Sequence, residues 1–405
     1  MRQNIKYWTT VLVIFFVGCG SVDKNYEMGT YGYDRNFFVK CGLEVVELTE
    51  SVDGAKILVI PSYQGRVMTS TAAGDAGNSY GWVNYKLIES GVIDPQHNPY
   101  GGEERFWLGP EGGPNSYYFK QGDEQIYANW KVPAAIDTES YVVKSVSNHS
   151  VSFEKQLCLT NARGNMFAIG VERTVELVAR TEVEKVLGVV LPSTVKSVAF
   201  SSNNVLTNCG DYPWTRQTGM PSVWLLGMFN PTKTTTVFIP YNQNFDGRIV
   251  NDEYFGKIPS ERLIVDNGML YFKIDGEYRS KLGLPMESAK DLCGSYDSAK
   301  GVLTIIKYTL PETQAVYVNG QWGEQSDPFA GDVINSYNDG PTDTGTIMGP
   351  FFEVETSSPG AALAPGQKLV HKQYTMHLQG NPAQIAAIAE TVFGIDLDVV
   401  ISRFQ

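Results

Sequence analysis

Runs of lysine or arginine are missing from this 405-residue sequence, its five cysteines never fall in a CxxC spacing, and histidines number only four. No apolar stretch reaches the roughly 20 residues of a membrane-spanning helix. Each absence removes a class of function. With 32 basic against 44 acidic residues and a net charge of −12, the surface repels polyanions, so no nucleic-acid partner is expected. Cys41, Cys158, Cys209 and Cys293 are too scattered for a zinc site or a disulfide-dense scaffold. They fit buried free thiols or, in an oxidising compartment, one or two disulfides. The glycines around residues 101–113 lack the strand-to-helix setting of a nucleotide-binding fingerprint. Residues 327–340 are rich in oxygen ligands, yet they lack the EF-hand spacing and end in the turn signal Asn338-Asp339-Gly340, so neither metal nor cofactor is expected. No repeat of fixed period and no long low-complexity linker divides the chain.

What is present begins at the N-terminus. A head carrying Arg2 and Lys6 precedes the apolar run from Val11 to Val17, and Phe16-Val17-Gly18-Cys19 resembles a lipobox with Phe16 in the usual leucine position. This predicts a signal peptide over 1–18, an acylated tether over 19–35 starting at Cys19, and a single domain over 36–405. The other reading is a secreted protein with Cys19 incidental. Cleavage would remove Arg2 and Lys6 and leave −14 on 387 residues. Dual acylation would hold the chain stably at a membrane. Gly20, in place of an aspartate, resembles the outer-membrane sorting pattern, so the expected location is the cell envelope, lipid-anchored, facing the periplasm or the surface.

Beyond the tether, short runs of Val, Ile, Tyr, Phe and Thr alternate with turns drawn from 40 glycines and 20 prolines. Residues 55–60, 166–177, 235–240 and 301–308 read as strands, and 166–177 partly alternates apolar with polar side chains, as a half-wet sheet requires. The expected class is all-β. One helix is persuasive: Asn381 caps it, Pro382 opens it, Ile385, Ile388 and Val392 share a face, and Gly394 ends it. Two large antiparallel sheets packed face to face, a supersandwich, accommodate the length.

Two segments concentrate chemistry. Residues 96–115 gather His97, Tyr100, Glu103, Glu104, Arg105, Trp107 and Glu111 between glycines. An indole face covers the apolar face of a sugar ring while charged groups bond its hydroxyls; the structural alternative makes Trp107 core and pairs Arg105 with a glutamate. In the second segment, Glu353 and Glu355 are two apart in an extended run, which puts both on one sheet face at roughly 6.5–7 Å. If partly dry they raise one another's pKa; if wet they are merely solvated. His149 falls in a turn. His371 and His377, six apart, share one strand face and are read as core histidines in preference to cleft residues. Arg216, Lys257, Arg279 and Lys281 are surface cations that would alternatively neutralise the glutamates or bind an acidic sugar.

The string Glu355-Thr356-Ser357-Ser358-Pro359, then Leu363-Ala364-Pro365-Gly366-Gln367 and the strand through Tyr374, Met376 and Leu378, resembles the C-terminal end of galactose mutarotase-like proteins. The strings 101–113, 224–231, 278–283 and 335–341 resemble an uncharacterised family of bacterial lipoproteins with that fold. The resemblance implies a galactose mutarotase-like β-supersandwich with a short C-terminal helix, and it assigns the catalytic base to Glu355. It also shows a departure: Tyr100 stands where mutarotases have the histidine before Gly-Gly, and residues 204–209 contain no histidine for the second donor. His97 or the Tyr100 hydroxyl is the substitute acid, with Glu103, Glu104, Arg105, Trp107, Glu111, Asn335, Tyr337 and Glu353 around the substrate. The expected function is an envelope carbohydrate-binding lipoprotein that moves a proton on a sugar, by epimerisation or elimination. The alternatives are a non-catalytic glycan-binding or scaffolding lipoprotein, or a glycoside hydrolase using Glu111 and Glu355.

Overall fold

The computed structural model describes residues 25–50, 54–342 and 345–404. The predicted signal peptide and Cys19 lie outside the described residues. Three sheets account for the named strands, and every pairing between those strands is antiparallel. A ten-stranded sheet has the long strands Lys368–Gln379, Lys196–Asn208, Met166–Leu177 and Ser150–Thr160 side by side. Facing it is a five-stranded sheet in the order Ser280–Pro285, Asp332–Asn338, Phe352–Ser357, Ser222–Phe229 and Arg105–Gly109. A third sheet, Val46–Thr49, Lys56–Ile60 and Arg66–Thr71, extends that second layer through the bridge between Val67 and Glu104.

The layers follow from side-chain parity. On Phe352–Ser357 the residues Val354 and Thr356 point at the ten-stranded sheet, where the Thr356 hydroxyl meets His371 Nε2 (2.9 Å) and donates to Gln373 Oε1 (2.7 Å). On Lys368–Gln379 the odd residues His371, Gln373, Thr375 and His377 face that interface, while Met376 and Leu378 turn outward under the helix Pro382–Phe393. Parity of this kind is what a period of two imposes on a sheet covered on both faces. The helix is built as the sequence indicates: the Asn381 side chain accepts from Ala383 N (3.0 Å), Ile385 and Ile388 are buried, and Gly394 takes φ 68°.

Other short helices were not legible in the pattern. Tyr31–Lys40 begins inside the span read as tether, and Tyr31 and Phe38 are wholly buried against Leu58 and Met68. Aromatics, a glycine and an asparagine make its sequence a poor helix former, so packing rather than propensity holds it. Cys41, Cys158, Cys209 and Cys293 are all free thiols.

Gly101 and Gly102 have a backbone reason to be glycine. Their φ angles are 97° and 109°, and a Cβ on Gly101 would stand 2.1 Å from the Trp82 carbonyl oxygen. They carry the chain through a tight passage into the strand Arg105–Gly109.

Candidate functional site

The five-stranded sheet turns its second face away from the ten-stranded one. Register sets Glu355 between Asn335 and Leu226, Glu353 between Tyr337 and Met228, and Arg105 opposite Leu226. Lys281 pairs with Tyr337, and Trp107 with Trp224. One sheet face therefore gathers Arg105, Trp107, Trp224, Lys281, Glu353 and Glu355 from four strands.

Glu355 lies at the centre and is fully buried. Its Oε2 accepts from Trp224 Nε1 (2.8 Å) and from Lys281 Nζ (2.9 Å), while Oε1 has no partner within the protein. Burial works against the Lys281 ammonium, but the charges of Glu355 and Glu111 outweigh it and raise its pKa. Glu111, partly exposed, is pushed to about 7 by burial, with Lys281 opposing, Glu355 adding, and Trp322 donating a hydrogen bond to it. Burial also lifts Glu353 to about 7, although Arg105 donates to it (3.2 Å) and attracts its charge. Asp332 accepts from the Tyr254 hydroxyl (2.5 Å) and is raised to about 6, again by burial.

Glu111 and Glu353 thus hold their protons more tightly folded than unfolded. The stability this confers is full below about pH 4.5, the unfolded value, and is lost as pH rises through about 7. His97, held well below its ordinary range, and His371, lowered to about 3, act oppositely, and their contribution is complete above about pH 6.5. Between pH 6.5 and 8 the melting temperature should therefore fall, and the fall should flatten in a Glu111→Gln/Glu353→Gln double variant. A melting temperature that rises over this window in the wild type would contradict the electrostatics described.

Pro110, Glu111, Trp224, Tyr254, Lys281 and Asn335 line a cleft of about 40 Å³ above this group. A larger hollow of about 590 Å³ opens elsewhere, between Tyr241–Asn244 and Phe393–Arg403. Its two carboxylates have structural roles, Asp266 paired with Arg403 and Asp396 capping the helix Leu397–Ser402, so the chemistry points to the smaller cleft.

Several residues expected at the site are placed differently. Glu103 and Glu104 are fully buried between the sheets and do not reach the cleft. Glu103 accepts from Ser70 Oγ (2.9 Å) and pairs with His377 Nε2 (3.0 Å); Glu104 pairs with Arg173 (2.7 Å) and accepts from Gln373 Nε2 (2.9 Å). They join the sheets instead of holding hydroxyls. Tyr100 stacks on Tyr63 (4.1 Å, 3°) in a separate apolar cluster, which removes it from the role of acid opposite Glu355. His97 is close by, but its Nε2 accepts from Arg105 (3.3 Å), and burial with the Arg105 and Arg66 charges keeps the ring neutral, so it has no proton to give there. Trp107 is 2% exposed with the Arg105 guanidinium 3.9 Å above its ring, so no sugar can stack on it. Tyr337 donates to Asp339 (2.8 Å), and Asn335 lines the cleft. The oxygen-rich stretch 327–340 is largely the strand Asp332–Asn338, and no cluster of three or more His, Cys, Asp or Glu suited to a metal occurs among the described residues. Sequence reasoning missed Trp224, Tyr254 and Trp322; it had named Lys281 among four cations, surface charges by default, that would alternatively neutralise the glutamates or bind an acidic sugar, and Lys281 does pair with Glu355.

A family model for a family of unknown function, DUF6786, matches residues 29–404. The chain belongs to this family. Among solved structures it is similar to the Slr1438 protein from Synechocystis sp. PCC 6803, with a TM-score of 0.51 and 11% identity, over 84% of this chain and 96% of that one. It is also similar to a putative aldose 1-epimerase from Escherichia coli K12, with a TM-score of 0.48 and 14% identity over 83% and 99%. A galactose mutarotase-like protein from Lactobacillus casei ATCC 334 gives 0.48 and 10% over 83% and 100%. No curated protein matches. The fold is the expected all-β arrangement of large antiparallel sheets with a few short helices.

Proposed function

We propose that the protein binds a carbohydrate with its reacting carbon over Lys281, Glu355 and Glu111, and moves a proton on it, as in epimerisation or elimination. The observation that carries this is the pairing of two unlike carboxylates at one ammonium. Glu355 is salt-bridged to Lys281 with a second oxygen unused, and Glu111, on the cleft wall, is poised at about 7. An ion-paired carboxylate with a free oxygen beside a carboxyl that keeps its proton up to about pH 7 gives the site a proton acceptor and a proton donor. In a ring-opening epimerisation, Glu111 protonates the ring oxygen while the anomeric hydroxyl loses its proton to Glu355 Oε1. Glu111 replaces His97 and Tyr100 in the role of acid. The sequence resemblance at residues 355–367 supports Glu355 as base.

One observation favours a second reading, glycan binding without turnover: Trp224 and Lys281 bond Glu355 on the cleft side, and its carboxylate is fully covered. Proton transfer requires the Lys281 side chain to move. The lipobox-like Phe16-Val17-Gly18-Cys19 further supports anchoring in the cell envelope through acylated Cys19, which intact mass measurement of the processed chain would test: a mass without the lipid would end that part of the proposal.

The experiment that decides between binding and catalysis is a thermal-shift screen of the purified protein against neutral and acidic saccharides, followed by NMR of anomeric and ring protons for every binder. Ligand at ~100 times its Kd stabilises by roughly 2.7 kcal/mol. Proton exchange on a bound sugar supports catalysis, binding without exchange supports the second reading, and no stabilisation by any saccharide would reject both.

A further inference from the structure

A cleft of about 40 Å³ holds roughly three waters, since each needs about 10–15 Å³ of such space. Pockets that swallow small ligands are roughly 300–1,000 Å³. If the cleft acts on sugars as proposed above, the reacting atoms enter it while the rest of the molecule lies on its rim. Neither cleft-floor indole can receive that remainder: Trp107 is covered by Arg105, and Lys281 sits 5.0 Å above the Trp224 ring.

The rim supplies another surface. Trp322, which bonds Glu111, lies 6.0 Å from Trp130 at 26°, and Tyr127 lies 6.0 Å from Trp130 on a plane 19° away. Tyr118 underlies Trp130 at 6°. These near-parallel rings form a ledge running outward from Glu111. Its inner end, Trp322, is partly exposed, and its outer end, Tyr127, is 65% exposed. Trp130 between them is a buried spacer.

The ledge is fixed in place. Gln125 Oε1 accepts from Gly113 N and Gly323 N, both at 2.8 Å, and its Nε2 donates to the Gly113 carbonyl (2.8 Å), tying three loops into one rim. Gln96 Nε2 donates to the Tyr127 carbonyl (2.5 Å). Gly112 permits the contact, since a Cβ there would lie 2.2 Å from the Gln321 carbonyl oxygen. These bonds hold the backbone of the loops that carry Trp322 and Tyr127, so an occupant loses less affinity to ordering those loops. Charge narrows the occupant further. Glu111 and Asp332 line the cleft and the ion-paired Glu355 lies beneath it, against the one ammonium of Lys281, which disfavours a polyanion.

We propose that the ligand of this site is a neutral oligosaccharide or longer glycan, whose units beyond the one in the cleft stack on Trp322 and Tyr127. This rests on the carbohydrate reading and names its substrate class. A stack of the strength aromatic pairs provide corresponds to roughly 2- to 12-fold in affinity.

The test is isothermal titration of the full chain with gluco-, manno-, xylo- and galacto-oligosaccharides of one to six units, beside uronate oligomers of matching length. For the series that binds, affinity should rise with length. Tyr127→Ala, an exposed substitution that leaves the core intact, should remove roughly 2- to 12-fold from the longest member while leaving the single unit unchanged. Tyr127→Phe should restore it. Equal affinity for one and six units would overturn the ledge and leave carbohydrate binding standing. Preference for uronate oligomers would overturn the choice of a neutral ligand. Binding of no saccharide of any length would overturn this proposal together with the reading beneath it.

Discussion

Arg173→Met should destabilise the protein by about 3–5 kcal/mol, the loss typical when one partner of a buried ion pair is removed. Both ends of the Arg173–Glu104 bridge have 0% exposed side chains at 2.7 Å, and the same guanidinium donates to Asn204 Oδ1 (2.6 Å) and the Gly65 carbonyl (3.2 Å). Without it, Glu104 retains only Gln373 and becomes an uncompensated charge between two sheets. The double change Arg173→Met/Glu104→Leu should recover much of the loss, because replacing both charges by apolar groups removes the desolvation penalty along with the attraction. Urea unfolding decides it: a midpoint shift at constant slope is the expected result for the single variant. A single variant within 1 kcal/mol of wild type would show that the bridge does not hold the layers together.

The second large effect concerns Glu111. On any sugar the protein turns over, Glu111→Gln should lower kcat by about 10²–10⁴, the usual contribution of a positioned acid. Stability should move the other way. Folding raises the Glu111 pKa to about 7, so the folded state disfavours its charge near neutrality, and a neutral amide escapes that penalty. Slower turnover with an equal or higher melting temperature at pH 7.5 separates a chemical role from a structural one. Unchanged turnover would move proton transfer to another residue.

The difference between these two glutamates explains how far the sequence could be read. Alternation located the strands, and a period of two correctly put Glu353 and Glu355 on one face and His371 with His377 on another. Parity cannot say which face meets the other sheet. Glu103, Glu104, Arg105 and Glu111 sit in one glycine-rich string, yet the first two are sealed inside, Arg105 lies on the cleft floor and Glu111 stands on its wall. Only the covering elements distinguish them, and those come from residues 173, 281, 353 and 377. The same long separation hid the Lys281–Glu355 pair, 74 residues apart, and the Trp224–Glu355 bond, 131 apart. Tyr127 and Trp322 lie in loops without periodicity, where a sequence carries no signal of facing direction. The C-terminal helix was legible because its cap, opening proline and closing glycine are local.

Four of the seven tryptophans stand in sequence around the cleft, with Trp224 5.5 Å from Trp107, Trp107 6.4 Å from Trp130, and Trp130 6.0 Å from Trp322. At such spacings an indole that absorbs ultraviolet light can pass its excitation to the next. The last ring donates its N–H to Glu111. Occupation of the cleft or a change in that carboxyl's protonation is therefore expected to alter the protein's own fluorescence, an optical readout that needs no label.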